Sequence, residues 1–279
     1  MLQRDVVLSL FIRDNIQVGR NASRSSRGAK KINNLYRTEV GSHRGRPVGN
    51  LDATLNGIWW ILCTGSIWNQ LPERYGKWNS VWRCFRRWCG SGMWGWILQN
   101  LTEQHSDYEI ALMLDGSHIK AHQDASRSPL DSEQQKLGKT KGGRNTKLSA
   151  VVNLAGRAVS LVLVPGNEHD SVSAIETLPK NLKAKFVLAD KAYDANRIRS
   201  HIESAGGFCV IPPKANRKET ISYDKEIGRL RRIVENFFCR IKSYRRVATR
   251  YEQLPKTFLG FVTLSAIVDW IKFEFVHAA

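Results

Sequence analysis

The apolar positions of this chain follow two rhythms. Over residues 44–101 they recur every three or four residues, the spacing of helices, and from Ile110 onward they form short continuous or alternating runs, the pattern of strands. The first part predicts three short helices. Asp52 or Thr54 can cap one that runs to Cys63 and stops at Gly65, Asn79 or Ser80 can cap a second through Trp88, and Gly90 and Gly92 separate a third that reaches Leu101. Three short helices with tight glycine turns fit a helix-turn-helix-like module. Trp59, Trp60, Trp78, Trp82, Trp88, Trp94 and Trp96 recur at helical spacings and read as its core rather than as a platform for stacked bases. Residues 1–43 hold a Ser/Arg/Lys-rich stretch with too few apolar residues to order itself, and read as a flexible basic extension.

After a polar linker, IALMLDGSHIKAH is a buried run ending in Asp115, followed by alternating residues suited to the second strand of a hairpin. KLSAVVNLAG and RAVSLVLVPGN pair about a turn at Gly156. Ser171 caps a helix to about Leu182, KFVLADKAYDA supplies another buried strand ending in Asp190, and ANRIRSHIESAG is a helix stopped by Gly206 and Gly207 before the short strand FCVIPP. From Tyr223 to Lys242 the chain reads as one amphipathic helix with Ile227, Leu230, Val234, Phe237 and Ile241 on its core face, and TFLGFVTLSAIVDWIKFEF as a final apolar helix. Strands, helix, strand, helix, strand, helix is an α+β order, a mixed β-sheet flanked by helices as in an RNase H-like fold. The expected domains are the extension 1–43, a helical helix-turn-helix-like module 44–104 and an RNase H-like domain 108–279, and the charge and the acids considered next make the module DNA-binding and the domain catalytic.

Charge narrows the partner. A net charge of +18 and a pI near 10.0 call for a polyanion, and nucleic acid is the one that suits a chain with this much core. The five cysteines form no CxxC pair, which argues against a disulfide framework or zinc ribbon and for a reducing cytoplasm. VVLSLFI is too short for a secretory segment and the final apolar helix contains Asp269 and Lys272, so no membrane span is expected.

Within this frame three acids stand out. An acid ending a buried strand is costly unless it is paired or does work, and Asp115 and Asp190 both occupy such positions. Arg231, Glu235 and Lys242, at i, i+4 and i+11, lie within an arc of about 40° at the edge of the apolar face. Glu235 alone is open to two readings: a surface ion pair with Arg231 worth roughly 0.3–0.5 kcal/mol, or a working acid. If the strands are neighbours the three acids converge. A few hard oxygen donors suit Mg²⁺ or Mn²⁺, two ions being the arrangement used for displacement at phosphorus, with Arg231 and Lys242 then free to hold DNA backbone.

Other candidates compete. Asp194 could replace Asp190, though Tyr193 and Asp194 read as the start of the next helix; His169 and Asp170 could lie near the site or serve a turn; Asp124 and Asp131 read as solvated. His118 and His122 would lie about 13 Å apart on a strand, too far for one zinc. QQKLGKTKGGRNTK, with Lys139, Lys141, Arg144 and Lys147, is a phosphate clamp or an ordinary hairpin loop, and Arg83, Arg86 and Arg87 face away from the core of the second helix, where they could reach phosphates or bases.

The stretches RGRPV, LNGIWWILCTGSIW, LPERYGKWNSVWRCFRRW, LDGSHIKAH, GKTKGGRNTK, VPGNEHDS, LADKAYDA and RRIVENFFCRIKSYRRVATRYE together resemble the DDE transposases of bacterial insertion sequences, in the IS-five branch, over about Arg44 to Phe275. The resemblance implies Asp115, Asp190 and Glu235 as a metal-binding triad on an RNase H-like fold. It also implies double-stranded DNA as partner, both terminal inverted repeats and target, and a homodimer or higher when two ends are joined. The family's Tyr, Arg, Glu, Lys signature maps onto Arg231, Glu235 and Lys242. Its tyrosine does not map, since position 228 is Gly228, and Asn69 and Gln70 stand where an Arg and an Asp are usual. If the chain is an impaired but active enzyme, Gly228→Tyr is accordingly expected to raise activity. A DNA-binding remnant without cleavage, and a nuclease of the same fold acting on other nucleic acid, are the alternatives.

Overall fold

The computed structural model describes residues 50–103, 110–127, 131, 133–218 and 221–277, and the basic extension expected at 1–43 lies outside them. The chain divides into two compact units between Ile97 and Leu98.

In the first unit, α1 (Leu51–Thr64) is capped by Asn50, whose Oδ1 accepts the Ala53 N–H at 2.9 Å, rather than by Asp52 or Thr54. It ends at Gly65, whose φ of 69° only glycine adopts easily. The start of α2 (Trp78–Gly90) also differs from expectation: Lys77 precedes it with no side-chain cap, and Asn79 and Ser80 lie inside the first turn. Val81, Cys84, Phe85 and Trp88 form its buried stripe, and α3 (Met93–Glu103) sets Trp94 edge-on to Trp88 at 5.8 Å. The tryptophan core is smaller than the spacing suggested. Trp88 and Trp94 are buried, Trp59, Trp60, Trp82 and Trp96 are half-buried, and Trp78 is exposed.

The second unit is built on a mixed sheet. β1 (Ala111–Ala121) is one continuous strand and not a hairpin, because Leu112 to Lys120 pair antiparallel with β3 (Gly143–Asn153) along their whole length. β2 (Gly138–Thr140) folds back on β3, and β4 (Ala158–Pro165) follows β3 through the turn at Gly156, φ 72°. α4 (Asp170–Thr177) is capped by His169, not Ser171, and ends five residues before Leu182. β5 (Phe186–Ala189), α5 (Asn196–Ser204) and β6 (Phe208–Val210) complete the crossovers, both strands running parallel to β1. The order is β2-β3-β1-β5-β6, with β4 beside β3 and β7 (Thr249–Arg250) beside β1. Leu112, Leu114, Val151, Val187, Ile198 and Ile202 share one core under it.

The helix expected from Tyr223 is broken into α6 (Lys225–Gly228), a 3₁₀ turn at Arg229–Arg231 and α7 (Arg232–Lys242). A 3₁₀ turn advances about 120° per residue and shifts the phase, so Leu230 leaves the core and is 41% exposed while Val234, Phe237 and Ile241 stay buried. After α8 (Arg245–Ala248), α9 (Pro255–His277) packs on the sheet. Asp269 on α9 receives Arg240 from α7 and Arg157 from the β3–β4 turn, and Trp270 Nε1 donates to the Ala158 carbonyl at 2.8 Å. Among the described residues no helix is long and apolar enough to cross a membrane.

Candidate active site

The parallel pairing of β1 with β5 ends at Leu114 opposite Ala189. The next residue on each strand is an aspartate: Asp115, which lies within β1 where its pairing with β5 gives out, and Asp190, just past the carboxyl end of β5. β5 stops there because Asp190 caps a 3₁₀ turn, Lys191–Tyr193, accepting the Lys191 N–H. Asp194 starts no helix. Its buried carboxylate accepts from Arg199 Nε, Arg217 Nη1 and the Lys214 N–H, which outweigh burial and hold its pKa low. It is a structural knot, turned to its own partners.

α7 brings the third acid. The Arg231 guanidinium lies between carboxylates, 3.2 Å from Asp115 Oδ2 and 2.8 Å from Glu235 Oε1. The ion pair weighed above for Glu235 is therefore present, with Asp115 added to it, and Arg231 is not free for DNA in this arrangement. Lys242, further along, donates to Ser117 Oγ at 2.7 Å and to the His118 carbonyl at 2.9 Å, and partial burial lowers its pKa. Arg231 and Lys242 thus fasten α7 along β1 at two points.

A fourth acid, which the sequence leaves open between the site and a turn, lies near them. Asp170, the first residue of α4, accepts from Lys147 Nζ at 2.8 Å, and Lys147 also donates to the Glu168 carbonyl. Lys147 was expected among the phosphate-binding cations, but its side chain is only 7% exposed. Lys139, Lys141 and Arg144, on the β2–β3 hairpin, are exposed, as are Arg83, Arg86 and Arg87 on α2. A Cβ on Gly116 would lie 3.2 Å from Asp170 Oδ1 and from Lys147 Cδ, and 3.4 Å from Tyr193 Oη. All three side chains therefore crowd the residue next to Asp115.

Charge follows from this crowding. Burial pushes the Asp115 carboxyl up to about 6; the Gly116 N–H and Arg231 oppose the shift, and the charges of Glu235 and Asp170 add to it. Tyr193 is raised by burial and then by Asp170 and Asp115, with Asp190 adding less; the neighbouring Ser149 lowers it, yet the phenol oxygen has no bond of good geometry. Asp115, raised by burial and sharing one guanidinium with Glu235, offers the hard oxygen-donor chemistry that suits a divalent cation. Among the described residues no three His, Cys, Asp or Glu side chains are gathered tightly enough to hold a metal ion, and Glu235 is turned to Arg231. The histidines contribute little: His118 meets Asn145 at 3.2 Å and His122 pairs with Asp124.

A family model described as "Transposase DDE domain" matches residues 109–269, and one described as "Putative transposase of IS4/5 family" matches 30–98. The chain is 33% identical over 128 residues to a Brucella ovis protein described as "Putative transposase for insertion sequence element IS6501", covering 46% of this chain and 98% of that one. It is 35% identical over 72 residues to the uncharacterized protein y4sN of Sinorhizobium fredii, covering 26% of this chain and 56% of that protein. No solved structure matches it.

Proposed function

Because the chain belongs to the transposase DDE domain family, we propose that it binds the terminal inverted repeats of an insertion sequence, cuts the element's ends and joins the freed 3′-hydroxyls to target DNA. The observation that carries this reading is the pair of aspartates on adjacent parallel strands, Asp115 and Asp190, with Glu235 tied to the first through Arg231. These three are the residues that would hold two Mg²⁺ or Mn²⁺ ions, which when bound supply the positive charge that activates the attacking oxygen and stabilises the leaving one.

The chain's own residues prepare that reaction. Arg231 keeps Asp115 and Glu235 within one guanidinium of each other, and its fork of donors suits a phosphate equally well once DNA arrives. Lys242 holds the far end of α7 to β1, so the acid-bearing helix cannot slide along the strand. Exposed Lys139, Lys141 and Arg144 line a hairpin suited to backbone phosphates, and Arg83, Arg86 and Arg87 present a second basic face on α2 for phosphates or base edges. Joining two ends in one complex calls for at least two chains, working on DNA in the bacterial cytoplasm.

The test is cleavage and strand transfer on duplexes carrying the terminal repeats, with Mg²⁺ and with chelator. The second reading, a protein that binds the repeats without cutting, is favoured by the engagement of Glu235 with Arg231 instead of with the two aspartates. Retained repeat binding with no cleavage in either Mg²⁺ or Mn²⁺ would establish it.

A further inference from the structure

Gly228 has φ −58° and ψ −25°, an ordinary right-handed helical conformation that any residue can adopt. Backbone freedom is therefore not what glycine provides there. A Cβ on Gly228 would lie 1.8 Å from the Tyr223 hydroxyl oxygen, 2.5 Å from its Cζ and 3.1 Å from its Cε2. The place where a side chain at 228 would begin is already filled by the phenol of Tyr223.

The local sequence explains how. Asp224 caps α6, its Oδ1 accepting the N–H groups of Glu226 and Ile227, and the Asp224 carbonyl accepts from Gly228 at 3.0 Å. Tyr223 is thus the residue before the cap and Gly228 the fourth residue of the helix, the two positions that meet in a hydrophobic staple. Here one partner has no side chain, so the ring folds back directly onto the helix backbone. Residues three apart on a helix are neighbours, about 5–6 Å between Cβ atoms, and the residue three on from Gly228 is Arg231. The phenol stands one turn ahead of the guanidinium that joins Asp115 to Glu235.

We infer that Tyr223 is a positioning residue for the site: its ring, seated on Gly228, takes the place of a side chain at 228 and sets the turn that carries Arg231. The inference rests on the proposed function for both readouts, the Mn²⁺ held by the three acids and the cleavage of DNA. It also reverses the expectation for Gly228→Tyr, because a second ring at 228 must expel the first.

The experiment moves the ring. Full-length chains carrying Tyr223→Ala, Gly228→Ala, Gly228→Tyr and the double change Tyr223→Ala/Gly228→Tyr are compared by the Mn²⁺ concentration needed to raise the melting temperature, and by cleavage of terminal-repeat DNA. Each single change is expected to weaken Mn²⁺ stabilisation and slow cleavage about tenfold, the size expected when a group supporting metal ligands is lost. The double change, which returns one ring to the site, is expected to recover to within about threefold of the unaltered chain. A double change no better than the single ones overturns the inference, as does a Tyr223→Ala chain that matches the unaltered one. Gly228→Ala displaces the ring with a single methyl group and should follow Tyr223→Ala; parting from it also overturns the inference. If the unaltered chain takes up Mn²⁺ but cleaves nothing, the proposed cleavage fails, and the Mn²⁺ series alone still decides the role of Tyr223.

Discussion

The Lys147 ammonium lies 2.8 Å from Asp170 Oδ1, and both side chains press on the residue that follows Asp115. A lysine that looked like part of a phosphate clamp is instead spent inside the sheet. Asp170→Ala would leave that ammonium buried with only the Glu168 carbonyl, and is expected to cost about 2–4 kcal/mol. Urea unfolding of the two chains measures it; a loss under about 0.5 kcal/mol would show that the pair contributes nothing.

The same burial separates Lys147 from its neighbours in DNA binding. Neutralising Lys139, Lys141 or Arg144 with Gln is expected to weaken duplex binding and to lower the salt slope by about one each, as for a lost phosphate contact. Lys147→Gln is expected to leave the slope unchanged. Binding isotherms at several salt concentrations read both quantities.

Gly116 is expected to tolerate no side chain. Alanine there meets Asp170 and Lys147 at 3.2 Å and Tyr193 at 3.4 Å, contacts that require each neighbour to give way. The expected result of Gly116→Ala is a stability loss of about 1–2 kcal/mol together with a fall in cleavage of about tenfold or more, because Asp115 moves with its neighbour. Calorimetry and cleavage rates on the same preparation check it.

Asp115 also gives a pH dependence with a definite sign. Its pKa in the folded chain, about 6, lies above the ordinary carboxylate value near 4, so the folded state holds the proton more tightly than the unfolded one. Stability from this group is complete below about pH 4 and is lost as pH rises to about 6. In metal-free buffer Asp115→Asn is expected to equal the unaltered chain near pH 4 and to exceed it by about 1–3 kcal/mol at pH 8. Denaturant unfolding at the two pH values shows whether the curves part.

Much of this arrangement could be read from the chain. Asp115 and Asp190 end apolar runs, which is how the pattern singles them out, but only β5 stops at its aspartate; β1 runs on through Asp115 to Ala121 because β3 pairs with it along its length. The stripe of Arg231, Glu235 and Lys242 follows from helical spacing, and it does face β1. What the pattern hid were local changes of geometry and contacts across the sequence. The 3₁₀ turn at Arg229–Arg231 put Leu230 in solvent because periodicity assumes one helix type throughout. Asp170 reaches Gly116 only through the packing of α4, which no spacing encodes. The ring of Tyr223 on Gly228 was hidden for a different reason, since a missing side chain reads as a gap until something is seen to fill it.

The central claim is that Asp115, Asp190 and Glu235 act together on DNA. Asp115→Asn, Asp190→Asn and Glu235→Gln, assayed on terminal-repeat duplexes with Mg²⁺, are each expected to lower cleavage and strand transfer by about a thousandfold or more while repeat binding persists. Undiminished cleavage in any one of the three would contradict the assignment.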